Sequence, residues 1–186
     1  MNKLSEKVLL ILLTGATLSV CYTSRQYWRT IKIAGREWKK IDKKWDNIKK
    51  EELRYELRKL YQSKLIKKKK NPDGSITMVL TDKGKFRALT FHFQKMKIDR
   101  KDWDGKWRIV VFDIPEKHRW GRDALRKKIK KLGFYELQKS VFVFPYDCKN
   151  EIDFIIEFFE IRKYVRFGIL ESIDNGQHLK EIFKLS

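Results

Sequence analysis

Cysteine is scarce in this chain: Cys21 and Cys148 are the two present, 127 positions apart. Two thiols so placed make neither a disulfide framework nor a pair at metal-ligand spacing. The simple reading is a reduced, cytoplasmic compartment. Histidine is equally sparse. His92, His118 and His178 lie scattered, none beside a cysteine or carboxylate at ligand spacing, which argues against zinc. A long apolar run is also missing. Residues 8–20 (VLLILLTGATLSV) come nearest, but they are too short to span a bilayer, which needs about 20 residues. They follow Lys3 and Lys7 as a signal peptide would, yet no A-x-A cleavage site follows, and Val20 is too bulky for the position before a lipoprotein cysteine. The expectation is a buried helix capped by Ser5, with a membrane anchor as the alternative. No internal repeat appears, and the run of lysines at 67–70 is the one low-complexity tract.

Acidic residues are in short supply. The 186 residues hold 44 Lys+Arg against 24 Asp+Glu, a net charge of +20. The imbalance is uneven: residues 1–100 hold 26 and 10, whereas residues 101–186 hold 18 and 14. A charge spread only for solubility would not divide this way. A basic first half points to a polyanion, most often nucleic acid and less often an anionic membrane. With 42% hydrophobic residues, the chain can still build one or two packed cores.

The first half reads as helices around a basic hairpin. Residues 24–48 are rich in Trp, Lys and Arg and suggest one or two short helices broken near Gly35. Residues 49–65 (KKEELRYELRKLYQSKL) are the clearest helix, with Leu53, Leu57, Leu60, Tyr61 and Leu65 in one stripe. Lys50, Arg54, Arg58, Gln62 and Ser63 occupy the opposite face. Asn71-Pro72-Asp73-Gly74-Ser75 is a turn between two strand-like runs, and Lys67, Lys68, Lys69 and Lys70 line the incoming one. Thr81-Asp82 then caps another helix, carrying Phe86, Leu89 and Phe91. This order, with LTDKGK closing it, is that of a winged helix-turn-helix over residues 1–98. In that fold the second helix of the turn motif enters the major groove and the wing touches backbone or minor groove. The candidate DNA-binding residues are Lys49, Lys50, Arg54, Arg58, Gln62, Lys67, Lys68, Lys69 and Lys70. The plainer account of these charges is a solvated helix face.

After a polar join (MKIDRKDWDG) the pattern changes at residue 103. Residues 107–114 form a strand, with Ile109 and Val111 on one face and Val110 and Phe112 on the other. A basic helix over 116–132 turns Trp120, Leu125, Ile129 and Leu132 inward, and Gly133 sits where a helix C′ residue belongs. Two strands follow at 134–138 and 141–145. Then comes a helix capped by Asn150, with the stripe Ile152, Ile155, Ile156 and Phe159 and an acidic outer face of Asp153, Glu157 and Glu160. A fourth strand at 164–172 and a short helix at 177–185 complete residues 103–186. The order βαββαβ is ferredoxin-like, and the fold class is therefore α+β.

The stretch FDIPE followed by GFYELQKSVFVFP resembles the small ferredoxin-fold subunit of the CRISPR spacer-integration complex. That family ends its first strand in an Asp and carries a later Q-x-SVF segment, matched here by Asp113 and by Gln138, Ser140, Val141 and Phe142. Across residues 5–186 the chain resembles more closely the PaaX-type repressors, regulators of phenylacetate catabolism that join a winged helix to this same domain. The resemblance is densest over 103–148. It implies a sequence-specific regulator binding double-stranded DNA as a homodimer; no cofactor is expected, and a membrane partner is not expected for residues 8–20 folded as a core helix. The spacer-integration resemblance implies an alternative, in which paired Asp113 residues bind Mg²⁺ and serve a metal-dependent endonuclease. A hydrolytic metal site needs several oxygen ligands, and Asp113 stands alone at its strand end. The plainer expectation is a carboxylate that accepts backbone or arginine hydrogen bonds, and for His118 a surface position.

Overall fold

The computed structural model describes residues 3–20, 50–70, 76–100 and 102–185. The chain divides into two compact units, Met1–Met96 and Lys97–Ser186.

In the first unit, α1 (Lys3–Val20) is the apolar segment folded as a helix. Val8, Leu9, Leu10 and Leu13 are buried, and the helix packs on α2 (Lys50–Gln62), β2 (Ile76–Leu80) and α3 (Asp82–Lys95). This is the core helix expected from its composition. No described helix is long and apolar enough to cross a membrane. Ser5 is not its cap. It lies within the helix, buried, and its hydroxyl donates to the Glu56 carboxylate of α2. A second polar tie joins Lys95 of α3 to Glu6.

Lys49, the expected first residue of helix α2, lies outside the described residues, and the helix ends three residues earlier than expected, at Gln62. Its stripe is also altered. Leu60 is buried and Leu57 half-buried, but Tyr61 is 47% exposed, and Glu56 takes a buried place instead. The end at Gln62 is a Schellman turn: Leu65 N–H donates to Leu60 O and Lys64 N–H to Tyr61 O, both at 3.0 Å. Lys64 occupies the left-handed position (φ 56°) usually given to glycine. The turn hands the chain directly to β1 (Ile66–Lys70), which pairs antiparallel with β2 from Ile66↔Leu80 to Lys70↔Ile76. The intervening Asn-Pro-Asp-Gly-Ser turn, and the helices expected over 24–48, lie outside the described residues. Thr81 caps α3 as expected, accepting the Gly84 N–H at 3.1 Å. Its hydroxyl also donates to Lys64 O at 2.8 Å, pinning the start of the hairpin to the start of α3.

The second unit is a four-stranded antiparallel sheet. Its strands are β3 (Trp107–Phe112), β4 (Tyr135–Gln138), β5 (Val141–Phe144) and β6 (Val165–Leu170), in the spatial order β4-β5-β3-β6. With helices α4 (Arg119–Leu132) and α5 (Lys149–Phe158) this is the βαββαβ order. Val110 and Phe112 oppose Phe142 and Phe167 or Val165 on one sheet face. The apolar stripes of α4 and α5 are buried with that face: Leu125, Ile129, Ile152 and Ile155 are fully covered. On the other face, α6 (Gly176–Phe183) adds Leu179 to a cluster with Trp107 and Val143, against which Trp103, Tyr135 and Leu170 pack.

Three expectations are corrected in this unit. The basic helix opens as a 3-10 turn at Glu116–His118, and its buried stripe begins at Gly121, not Trp120. A Cβ on Gly121 would come within 3.1 Å of the Ile161 side chain, closer than an ordinary contact, and Trp120 is left 71% exposed. Asn150 is not the cap of α5. The helix begins at Lys149, whose N–H donates to Asp147 Oδ1. Glu157 is not on the outer face of α5 but buried, and it accepts from Arg162 Nε at 2.7 Å. Gly133 does close α4 as expected, at φ 99°.

Candidate nucleic-acid interface

The Schellman turn at Lys64 determines which cationic residues of the first unit come together. Because only Ser63 to Leu65 separate α2 from β1, the last turn of the helix and the first residues of the hairpin are neighbours. Arg58 and Gln62 are exposed on α2, Ser63 just after it, and Lys67, Lys68 and Lys69 along β1. The Lys68 ammonium lies 5.4 Å from the centre of the Tyr61 ring, bridging helix and strand, and Lys59 stands 4.6 Å over the Tyr55 ring. These two exposed tyrosines were assigned no surface role by the sequence pattern, because Tyr61 falls on the leucine repeat. Of the remaining candidates, Lys49 lies outside the described residues. Lys50, Arg54 and Lys70 belong to described elements, but their side chains do not.

Asp113 immediately follows β3, with its side chain exposed. Its backbone N–H donates to Tyr164 O at 3.0 Å, a bond any residue could make. Among the described residues its carboxylate accepts no hydrogen bond, contrary to the plainer expectation. Nor do the neighbouring carboxylates converge on it: Glu116 binds Arg119 and Arg122, and Asp123 binds the same two arginines. No three His, Cys, Asp or Glu side chains cluster among the described residues. The described residues of one chain therefore do not bring together the several oxygen donors of a hydrolytic metal site. His118 is half-buried beside the Tyr164 ring, 5.2 Å between centroids. Cys148 is buried, and burial pushes its thiol well above the ordinary range, so it is no nucleophile.

Two buried cations shape the second unit. Arg108 on β3 donates to both oxygens of Asp104, at 2.5 and 2.6 Å, and to Pro145 O at 2.8 Å. These bonds hold the Asp104 carboxyl down to about 2. Lys128, 5% exposed on α4, has its ammonium pushed down to about 8, first by burial and then by Lys131.

This is the sheet order and helix placement of the ferredoxin-like proteins, and residues 100–181 match the family model of the PaaX protein central Cas2-like domain. The match lies within the second unit, which is similar to that Cas2-like domain. The match is consistent with a PaaX-type protein and agrees with the resemblance carried by FDIPE and QKSVFVF. No curated protein matches the chain.

Proposed function

We propose that the protein is a sequence-specific DNA-binding regulator of the PaaX type, acting as a homodimer on double-stranded DNA. The observation that carries this reading is a helix joined through the Lys64 turn to a hairpin, with exposed cations on both (Arg58; Lys67, Lys68 and Lys69) and Lys68 over the Tyr61 ring, in a chain whose other unit matches the PaaX central Cas2-like domain. The first unit is read as a winged helix. α2 would present Lys50, Arg54, Arg58 and Gln62 to base edges, and the hairpin lysines would hold phosphates. The homodimer reading is supported by the sheet face that α6 leaves partly open. There Val111 is exposed and Ile109 half-buried, beside Gly168, whose missing side chain leaves room for Ile109. Two such units would present paired recognition helices to paired half-sites.

Selection of binding sites from randomised duplex DNA, with the full-length protein and parallel EDTA and Mg²⁺ arms, tests this. The expected result is a palindromic or repeated motif in both arms with the DNA intact. Replacing Arg54 and Arg58 by Ala should then cost at least ten-fold in affinity for that motif, since each base contact contributes about 1–3 kcal/mol. DNA cut only with Mg²⁺, and spared by Asp113→Ala, would replace this reading with the endonuclease.

A further inference from the structure

The outer ridge of α4 is built differently from the rest of its unit. Residues 116–132 hold eight Lys or Arg and two acidic residues, while the remainder of 97–186 holds twelve and thirteen. The unit's positive charge is thus concentrated on a single helix. Several of these cations are occupied: Arg119 and Arg122 by Glu116 and Asp123, Lys130 by Glu136 at 2.5 Å, and Arg126 by the Lys139 carbonyl. Lys127 and Lys131 are exposed, and no described carboxylate lies within ion-pair distance of either. At 100° per residue, Trp120, Lys127 and Lys131 fall on one ridge of the helix, opposite the buried stripe of Gly121, Leu125, Ile129 and Leu132.

Trp120 is the most exposed large hydrophobic side chain described. It is held in place: the Phe159 ring meets it edge-on, with centroids 4.8 Å apart and planes at 83°. Lys127 and Lys131 follow it along the ridge, about 10 and 16 Å away by helical rise. The carboxylates nearest Trp120, Glu116 and Asp123, are each paired with Arg119 and Arg122; the ridge is thus a stacking platform leading into a phosphate track. That pairing suits unpaired nucleotides, whose bases offer a π face and whose backbone is anionic. A membrane surface fits less well, because the apolar stripe of α4 is already buried and a single Trp is left to insert. We propose that α4 binds single-stranded nucleic acid, with a base stacked on Trp120 and phosphates on Lys127 and Lys131. This site is separate from the duplex reading of the first unit.

The test uses the full-length protein and a labelled oligothymidine of about 12 nucleotides, within the range one such surface covers. Binding is followed by anisotropy at several salt concentrations, alongside the selected duplex. Trp120→Ala should weaken the single strand about ten-fold, and the indole quenching seen on binding should shrink. Lys127→Ala with Lys131→Ala should flatten the single-strand salt slope by about 1.4. Both variants should bind the duplex within two-fold of the parent, while Arg54→Ala with Arg58→Ala does the reverse, so the two sites fail separately. Trp120 is exposed, so its variant should keep the parent thermal transition. If it does not, Trp120→Phe, which retains the edge contact with Phe159, should bind with intermediate affinity. Unchanged oligothymidine affinity in the Trp120 and lysine variants would overturn the proposal. So would polyglutamate or phosphatidylserine vesicles competing as well as the oligonucleotide.

Discussion

At Gly84 an added Cβ would lie 1.9 Å from the Leu65 carbonyl oxygen and 3.2 Å from Leu80. That carbonyl also accepts the Thr81 N–H at 3.0 Å, so it cannot retreat without releasing the joint between hairpin and α3. Gly84→Ala should therefore destabilise by about 3 kcal/mol, the upper part of the overpacking range, read as a lower denaturation midpoint. Arg108 makes a second prediction at this scale. Its guanidinium is buried, while the Asp104 carboxylate that neutralises it is about half exposed (48%). Asp104→Asn leaves the buried cation to the Lys106 and Pro145 carbonyls, and should cost about 1–3 kcal/mol, the range for hydrogen bonds to charged groups. The Asp104 carboxyl is held down to about 2 from an ordinary 3.8, so the unfolded chain binds its proton first as pH falls. The pair's contribution is complete above pH 3.8 and is lost toward pH 2. Thermal unfolding at pH 7 and pH 2.5 should show the difference between parent and Asp104→Asn shrinking at the lower pH.

Among the elements, those with a long one-sided pattern were legible in the sequence. The stripe Ile152, Ile155, Ile156 and Phe159 is buried throughout, and the alternation of Val110 and Phe112 against Ile109 and Val111 matches the two sheet faces. Gly133 and Thr81 marked a helix end and a helix start through their backbone chemistry. Where two residues could occupy one stripe position, the pattern alone was not enough. Trp120 is more apolar than Gly121, yet glycine takes the buried place, where Ile161 packs within 3.1 Å of the position a Cβ would take. Tyr61 lies one residue beyond the buried Leu60, about 100° further round the helix, and is left at the surface, where its ring meets Lys68. Glu157 reads as solvent-facing, but Arg162, past the helix end, gives it a partner where it is buried. Glu56, which the pattern does not single out, is buried against Ser5, distant in sequence. The candidate interface was legible to the same extent: its charge and order could be read, its exposed aromatics could not. Their positions depend on tertiary approach, which a periodic pattern does not encode.

For the whole molecule, the question is which part of a +20 chain governs its affinity for duplex DNA. Neutralising phosphates releases counterions, so affinity falls linearly with the logarithm of salt, by about 0.9 per phosphate contacted. A protein making ~6–10 such contacts loses ~10³–10⁵ in affinity between ~50 and ~200 mM salt. Total charge alone would spread that dependence over every exposed lysine. A built interface concentrates it on residues that meet the backbone. Arg58, Lys67 and Lys69 are exposed on the α2–β1 edge; replacing the three by Ala should lower the slope for the selected duplex by about 2.7. Removing Lys127 and Lys131, which carry the same kind of charge on the other unit, should leave the duplex slope within error of the parent. Titrations of the three proteins against one labelled duplex at four salt concentrations decide the matter. Equal slope losses per lysine in both variants would mean that net charge, and not the helix–hairpin edge, holds the DNA. Selection from a randomised pool would then return no motif.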